Sequence, residues 1–169
     1  LNDLRMCFGF VQQEVHLLKG TIRTNLTFAN PEITEEKIEY ALRVAQLDKF
    51  VNNLPNKLDT IVGERGITLS GGERQRLSVA RMILCKNKVV VMDEPTSALD
   101  MKTEHIILKS LQPIFNQITT IVIDHRLSTL DYAKKIVVME HGKIIEEGGY
   151  NELIAKNGKL CELLNCKKE

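Results

Sequence analysis

The sequence predicts an α/β fold: a parallel sheet interrupted by a helical insertion. Three observations carry this. Val89-Val90-Val91-Met92 is a continuous apolar run rich in β-branched residues, the pattern of a strand buried on both faces of a parallel sheet. Thr120 to Ile123 forms a second such run, and helical spacing over 101–111 lies between the two. Residues 31–87, ahead of this alternation, are mostly helical in pattern. With 169 residues, 43% of them hydrophobic and 27% charged, the chain has the profile of one globular domain. It is long enough to bury a core without disulfide or metal staples.

Taken in order, residues 4–30 hold short apolar pieces (Phe8, Phe10, Val11, then Val15, Leu17, Leu18), a turn at Gly20 and a breaker at Asn30-Pro31. Thr34 is placed to cap a helix whose first turn carries Glu35 and Glu36, the sign that the helix dipole favours. The apolar face of that helix reads Ile38, Ala41, Leu42, Ala45. Asp48 to Leu54 gives a shorter helix stopped by Pro55. After Gly63-Glu64-Arg65-Gly66, a third helix is expected from about Gly72 to Leu84. Ile136–Met139 and Lys143–Glu146, joined at His141-Gly142, read as a hairpin. A final helix is expected to carry Leu153, Ile154, Leu160, Leu163 and Leu164.

Composition excludes several function classes. Lys+Arg 23 against Asp+Glu 22 leaves a net charge of +1, unlike a chain that tracks polyphosphate, so no nucleic-acid partner is expected. Three Tyr, five Phe and no Trp offer little for base stacking. Uninterrupted aliphatic stretches such as Val89–Met92 fall far short of the roughly 18 residues of a membrane span. No basic-then-apolar leader opens the chain, and its start at Leu1 rather than Met predicts further sequence upstream. Cysteines 7, 85, 161 and 166 form no CxxC pair and are expected to be reduced thiols; histidines 16, 105, 125 and 141 are dispersed, so no metal cluster is expected.

Three segments carry chemistry. In Leu69-Ser70-Gly71-Gly72-Glu73-Arg74-Gln75-Arg76, two glycines at a helix start let bare backbone approach a ligand, and the free N–H groups favour an anion; the same residues also make an ordinary Ser cap with a glycine turn. In Met92-Asp93-Glu94-Pro95-Thr96-Ser97-Ala98-Leu99-Asp100, two carboxylates end a buried parallel strand, where open α/β sheets place their ligands. Asp93 suits Mg²⁺, a cation that prefers oxygen ligands, and Glu94 suits the activation of a water that attacks a phosphoryl group; the alternative is a solvated acidic pair. In Ile121-Val122-Ile123-Asp124-His125-Arg126, a histidine follows the second strand, placed to donate to a phosphate oxygen or hold a water unless it is simply a surface residue.

In this order, the segments resemble the ATP-binding cassette (ABC) ATPases from about residue 8 to 155. Leu69–Glu73 is similar to that family's signature motif, Met92-Asp93-Glu94 to its Walker B end, Ser97–Asp100 to its D-loop and His125 to its switch histidine. Val11-Gln12-Gln13 resembles the Q-loop; Gly63–Gly66 resembles the X-loop of the exporter type, as does Lys19–Asn25 an exporter-type stretch after the Q-loop. The resemblance implies a P-loop NTPase-like (RecA-like) parallel sheet core, N-terminally truncated, with an inserted α-helical subdomain. It implies a division at about 14–85 (Q-loop and helical subdomain), about 86–150 (core with Walker B, D-loop and switch histidine) and 151–169 (C-terminal helix).

It further implies ATP and Mg²⁺ as cofactors and a head-to-tail dimer with a second nucleotide-binding domain. On that reading Ser70, Gly71, Gly72 and Glu73 face the nucleotide of the partner, with Asp100 also at the nucleotide interface. Gln13, Asp93, Glu94 and His125 act on the chain's own nucleotide, with Gln13 and Asp93 toward Mg²⁺ and Glu94 and His125 catalytic. A transporter's transmembrane domain is the other implied partner, which places the chain on the cytoplasmic side of a membrane. His16–Leu18 is then either near the coupling contact or ordinary loop packing.

The departures are specific. None of the ten glycines opens a GxxxxGK[ST] phosphate loop; Gly66 and Gly71 have the spacing, but Gly72-Glu73 follows. The family's adenine-stacking aromatic lies further upstream still. Gln12 stands where Pro is common, Glu73 where Gln is common, and Asp124 precedes the histidine. The expectation is that these residues alone hydrolyse no ATP and are marginally soluble. A non-catalytic module that only donates its signature face or a truncated gene product, and a soluble non-transport ABC ATPase, are the alternatives.

Overall fold

The computed structural model describes residues 7–27, 30, 32–63, 66–85 and 87–164. The chain divides into two compact units, Leu1–Ile123 and Asp124–Glu169, each with its own apolar core. The first unit runs β1 (Phe8–Val11), β2 (Gly20–Thr21), α1 (Ile22–Thr27), α2 (Glu35–Val44), α3 (Asp48–Asn53), a 3-10 turn (Lys57–Asp59), β3 (Ile61–Val62), α4 (Gly71–Leu84), β4 (Val89–Asp93), α5 (Met101–Phe115) and β5 (Thr119–Ile123).

Strands β1, β4 and β5 form a parallel sheet with β4 in the middle, as the two apolar runs predict. Its register puts Val11, Met92 and Val122 on one row and Phe10, Val91 and Ile121 on the next. Side chains alternate across a sheet, so these rows point to opposite faces. Val11, Val90 and Met92 are buried in one core with Leu77 and Val79 of α4, Ile107 and Leu111 of α5, and Ile38 and Leu42 of α2.

The other face corrects the expectation of strands buried on both sides. Phe10 is 65% exposed, Ile121 50% and Ile123 55%, while Val89 and Val91 are half-buried. The rings of Phe8 and Phe10 stack on this face with centroids 6.3 Å apart. The helices of the unit pack on one side of the sheet, whereas an uninterrupted apolar sequence predicts cover on two.

Three details of this unit's helices depart from the sequence expectation. Helix α5 runs past residue 111 to Phe115, with Pro113 in its last turn, because Ile114 and Phe115 continue the apolar face against the core. Thr34 occupies the cap position of α2, but its side chain makes no capping hydrogen bond. Helix α1, unforeseen in the sequence, buries Ile22, Asn25 and Leu26. Pro31, Glu64, Arg65 and Cys166, which figured in the sequence reading, lie outside the described residues.

The second unit consists of α6 (Leu127–Leu130), the antiparallel pair β6 (Ile136–Glu140) and β7 (Lys143–Gly148), then α7 (Tyr150–Lys156) and α8 (Lys159–Leu163). The expected hairpin is present. Its two turn residues, His141 and Gly142, have φ of 49° and 76°, the paired positive values of a type I′ turn. The single C-terminal helix expected from the leucines is two helices. Asn157, at φ 51° and ψ 39°, is a left-handed cap that ends α7, and Glu146 restarts the chain by accepting from the Lys159 and Leu160 N–H groups at 2.5 and 3.1 Å.

Candidate functional site

Asp93 ends β4 level with Ile123 of β5, and its side chain is exposed at the C-terminal rim of the sheet. The next residue, Glu94, has a φ of +42°, in the left-handed region that a side-chain-bearing residue enters at a cost of about 1–3 kcal/mol. Such a conformation persists only where the surroundings over-determine it. Here they do. The Glu94 N–H donates to the Ile123 carbonyl at 2.9 Å, and the Glu94 carbonyl accepts from the Ser97 N–H at 3.2 Å and from Gln75 Nε2 at 3.3 Å. Pro95 fits the second position of the resulting turn, where its fixed φ is favoured.

Gln13 sits in the irregular segment that leaves β1, directly beside β4 in the sheet. Its amide Nε2 donates to Oε2 of Glu94 at 2.6 Å. The structure therefore brings together two site residues that the sequence named separately. A cleft beside them is lined by Gln13, His16, Leu69, Gly71, Gln75 and Ser97.

The tip of α4 is a capping box. The Glu73 N–H donates to Ser70 Oγ at 3.3 Å, and the Ser70 N–H donates to the Glu73 carboxylate at 2.7 Å. Ser70 is exposed, and Gly71 and Gly72 are half-buried. A Cβ on Gly72 would lie 3.1 Å from the Ala98 carbonyl oxygen and 3.3 Å from Leu99 Cδ2, so the absent side chain lets α4 approach the loop that follows Glu94. Asp100 caps α5 by accepting from the Thr103 N–H at 3.0 Å. Hydrogen bonding from the Thr103 side chain and then from its backbone N–H holds the Asp100 carboxyl below the usual carboxylate range. Of the Gly63–Gly66 loop, Gly66 packs so closely that a Cβ would meet the Ile61 carbonyl, which explains the glycine.

His125 belongs to the second unit and is exposed. The buried Asp124 carboxylate beside it is spent on the local turn. Its Oδ1 accepts from the backbone N–H groups of His125 and Arg126 at 2.7 and 3.1 Å, and its Oδ2 from the Thr129 hydroxyl at 2.7 Å. The His125 ring nitrogen Nδ1 stands 3.9 Å from Asp124 Oδ1, beyond hydrogen-bond reach.

Two further groups were not picked out in the sequence. Gln75, 3% exposed, falls on the buried stripe of α4 with Ser78, Val79 and Met82 at helical spacing, and a polar residue on such a stripe is a legible signal. Arg81 and the fully buried Asn25 form a second node. Arg81 donates to the Asn25 carbonyl at 2.6 Å, to Asn25 Oδ1, and to the His16 carbonyl at 3.0 Å. Asn25 in turn accepts from the Leu18 N–H at 2.9 Å and donates to the Leu18 and Thr21 carbonyls at 2.8 and 3.0 Å. Burial pulls the Arg81 pKa down and pushes the nearby Cys85 thiol up. Cys7, Cys85 and Cys161 are in no disulfide, and among the described residues no cluster of three or more His, Cys, Asp or Glu is gathered for a metal. No described helix is long and apolar enough to cross a membrane.

Comparison with known proteins follows the same lines. A solved bacterial Atm1-family ABC exporter with ATP bound superimposes with a TM-score of 0.92 over 98% of this chain and 29% of its own, at 34% identity. The ATP-dependent lipid A-core flippase 1 of Colwellia psychrerythraea is 44% identical over 163 residues, 96% of this chain and 27% of the flippase. A putative multidrug export ATP-binding/permease protein of Staphylococcus aureus is 45% identical over 157 residues, 93% of this chain and 27% of that protein. The chain thus spans about a quarter of the length of the curated relatives it matches. The ABC transporter family model matches residues 1–97, more than half of the sequence, and with the parallel sheet and its acidic rim already in place, the chain belongs to the ABC transporter family.

Proposed function

We propose that these residues form the signature, Walker B and switch-histidine part of the nucleotide-binding domain of an ABC exporter, binding and hydrolysing ATP on the cytoplasmic side of a membrane. The single observation that carries the reading is the hydrogen bond from Gln13 to Glu94 at the C-terminal rim of β4. It holds a carboxylate, beside the exposed Asp93, where an α/β sheet of this type receives a phosphorylated ligand. Relatives that are named as a lipid A-core flippase and a multidrug export protein support the exporter assignment.

On this reading Glu94 is the general base that takes a proton from the water attacking the γ-phosphoryl group, a role worth about 10²–10⁴-fold. Gln13 orients that carboxylate. The Asp93 carboxylate and the Gln13 amide oxygen are hard oxygen donors that fit Mg²⁺ and would hold it there. The metal, when bound, neutralises charge on the phosphates. His125 donates to a γ-phosphate oxygen. Ser70, Gly71, Gly72 and Glu73 present the capped α4 tip to a nucleotide held by a second nucleotide-binding domain, with Asp100 at the same interface. The transmembrane domain of the transporter is the other partner. Functionally the chain divides at about 14–85, 86–150 and 151–169.

A phosphate-binding loop GxxxxGK[ST] does not occur within these 169 residues and is supplied from outside them. The chain by itself therefore turns over no ATP, since a base without a positioned substrate accelerates nothing. The same observation supports a second reading, a non-catalytic module that only donates its α4 tip to a complete partner. Glu94→Gln in the intact exporter decides between them. A fall in ATP turnover of at least 100-fold supports the catalytic role; unchanged turnover supports the module and overturns the catalytic assignment. Turnover by the purified 169-residue chain that Glu94→Gln removes would overturn the inactivity.

A further inference from the structure

We infer that Gln75 is a positioning residue for Glu94: its carboxamide locks the 94–98 loop onto helix α4. The inference rests on the reading of Glu94 as the general base.

The Gln75 side chain is 3% exposed and is engaged at both ends of its amide. Nε2 donates to Ser97 Oγ at 2.7 Å and to the Glu94 carbonyl at 3.3 Å, while Oε1 accepts from the Ala98 N–H at 2.8 Å. One side chain therefore holds three of the five residues from 94 to 98. Only an amide offers a donor and an acceptor in this arrangement. One turn earlier on the same helix, the missing side chain of Gly72 admits the Ala98 carbonyl to within 3.1 Å of where a Cβ would stand. The loop is thus seated on α4 twice, once by close backbone approach and once by Gln75.

An apolar side chain could fill this place on the buried stripe beside Val79 and Met82 without the cost of burying an amide. What the amide adds is control of the loop. Glu94 lies at φ +42°, a conformation that relaxes when its surroundings allow it. Its N–H is fixed from the Ile123 side, and its carbonyl is held within the turn by the Ser97 N–H and tied to α4 by Gln75. Without Gln75 the carbonyl keeps only the 3.2 Å bond from the Ser97 N–H, inside the loop that Gln75 no longer seats on α4, and the loop can shift and carry the carboxylate away from Gln13. A displacement of about 1 Å at a reacting group costs on the order of 10²-fold in rate.

The test is Gln75→Met in the intact exporter that carries these residues, with ATP turnover measured against ATP concentration and with Glu94→Gln alongside. Methionine keeps the length and volume and removes all three hydrogen bonds. The expected result is a fall in kcat of about 10–100-fold with KM for ATP within about two-fold of the parent. A kcat within two-fold of the parent, or a loss confined to KM, overturns the inference. Ser97→Ala removes one acceptor of Gln75 at a half-buried position and decides alone if Gln75→Met does not assemble. It lowers kcat about 3–10-fold at constant KM, and an unchanged kcat overturns the inference. Unchanged turnover in Glu94→Gln instead defeats the general-base reading, a separate failure.

Discussion

Gln13 and Glu94, 81 positions apart in sequence, meet through an N–H···O hydrogen bond of 2.6 Å. Each is held by its own strand, Gln13 just past β1 and Glu94 just past β4, and those strands are hydrogen-bonded neighbours. A neutral amide that donates to a carboxylate orients it without cancelling its charge, which suits a base that must accept a proton later. Gln13→Ala removes the donor and keeps the charge. In the intact exporter it lowers kcat for ATP about 10–100-fold, the worth of one hydrogen bond to a charged group. Steady-state turnover checks this, and a Gln13→Ala enzyme with the parent's kcat would contradict it.

The Asn25–Arg81 node is structural. Asn25→Ala leaves the Leu18 N–H and the Leu18 and Thr21 carbonyls without their side-chain partner, in a place where Asn25 is fully buried. A loss of about 2–4 kcal/mol is expected, read by denaturant unfolding of the exporter's nucleotide-binding domain. A loss under about 0.5 kcal/mol would show that solvent or other groups replace the amide.

The exposed sheet face governs solution behaviour of the 169-residue chain alone. Phe8, Phe10, Ile121 and Ile123 form an apolar surface on one side of a three-stranded sheet. Surfaces of this kind drive association. The chain is expected to self-associate in sedimentation velocity and to bind ANS, and Phe10→Ser with Ile121→Thr lowers both. A monomer that binds no dye and melts sharply would contradict this.

Asp100 sets a pH dependence at acid pH. Its carboxyl titrates below the usual range because Thr103 hydrogen-bonds the charged form. A lowered folded-state pKa means that the unfolded chain takes up the proton first as pH falls, so the stabilisation is present above the ordinary value of about 3.9 and is lost as pH drops through the lowered one. Asp100→Asn keeps a helix cap but cannot titrate. The Tm of the variant should therefore vary less than the parent's between about pH 5 and pH 2. Superimposable pH profiles would remove Asp100 from the account.

Much of this architecture is legible in the sequence, and the reasons differ by element. The runs at Val89–Met92 and Thr120–Ile123 announce strands because β-branched continuity has few other uses. His141-Gly142 announces its turn because both positions need positive φ, which glycine accepts freely and histidine accepts in a tight hairpin. The Ser70–Glu73 pair spells a capping box in four letters. The cover of a strand's second face is not written in the strand itself, so Ile121 and Ile123 read as buried and stand exposed. The break at Asn157-Gly158 hides within a leucine pattern that survives a change of helix axis. The reach of Asp93, Glu94 and Gln13 toward one rim follows from strand order, which no single segment contains. Gln75 was readable only as an oddity of polarity; its partners depend on a loop 19 to 23 positions away.

The central claim is that the α4 tip and the Glu94 base of one protomer serve different nucleotides. Paired protomers that carry Ser70→Asp and Glu94→Gln test it most directly, because aspartate preserves the cap of α4 while repelling a phosphate. With both changes in the same protomer, each shared site loses one essential group, and ATP turnover should vanish. With the changes in opposite protomers, one site keeps both groups, and turnover should persist near half the parent's value. The reverse pattern, activity retained when one protomer bears both changes and lost when they are divided, would mean that the tip and the base act on the same protomer's nucleotide, and would contradict the claim.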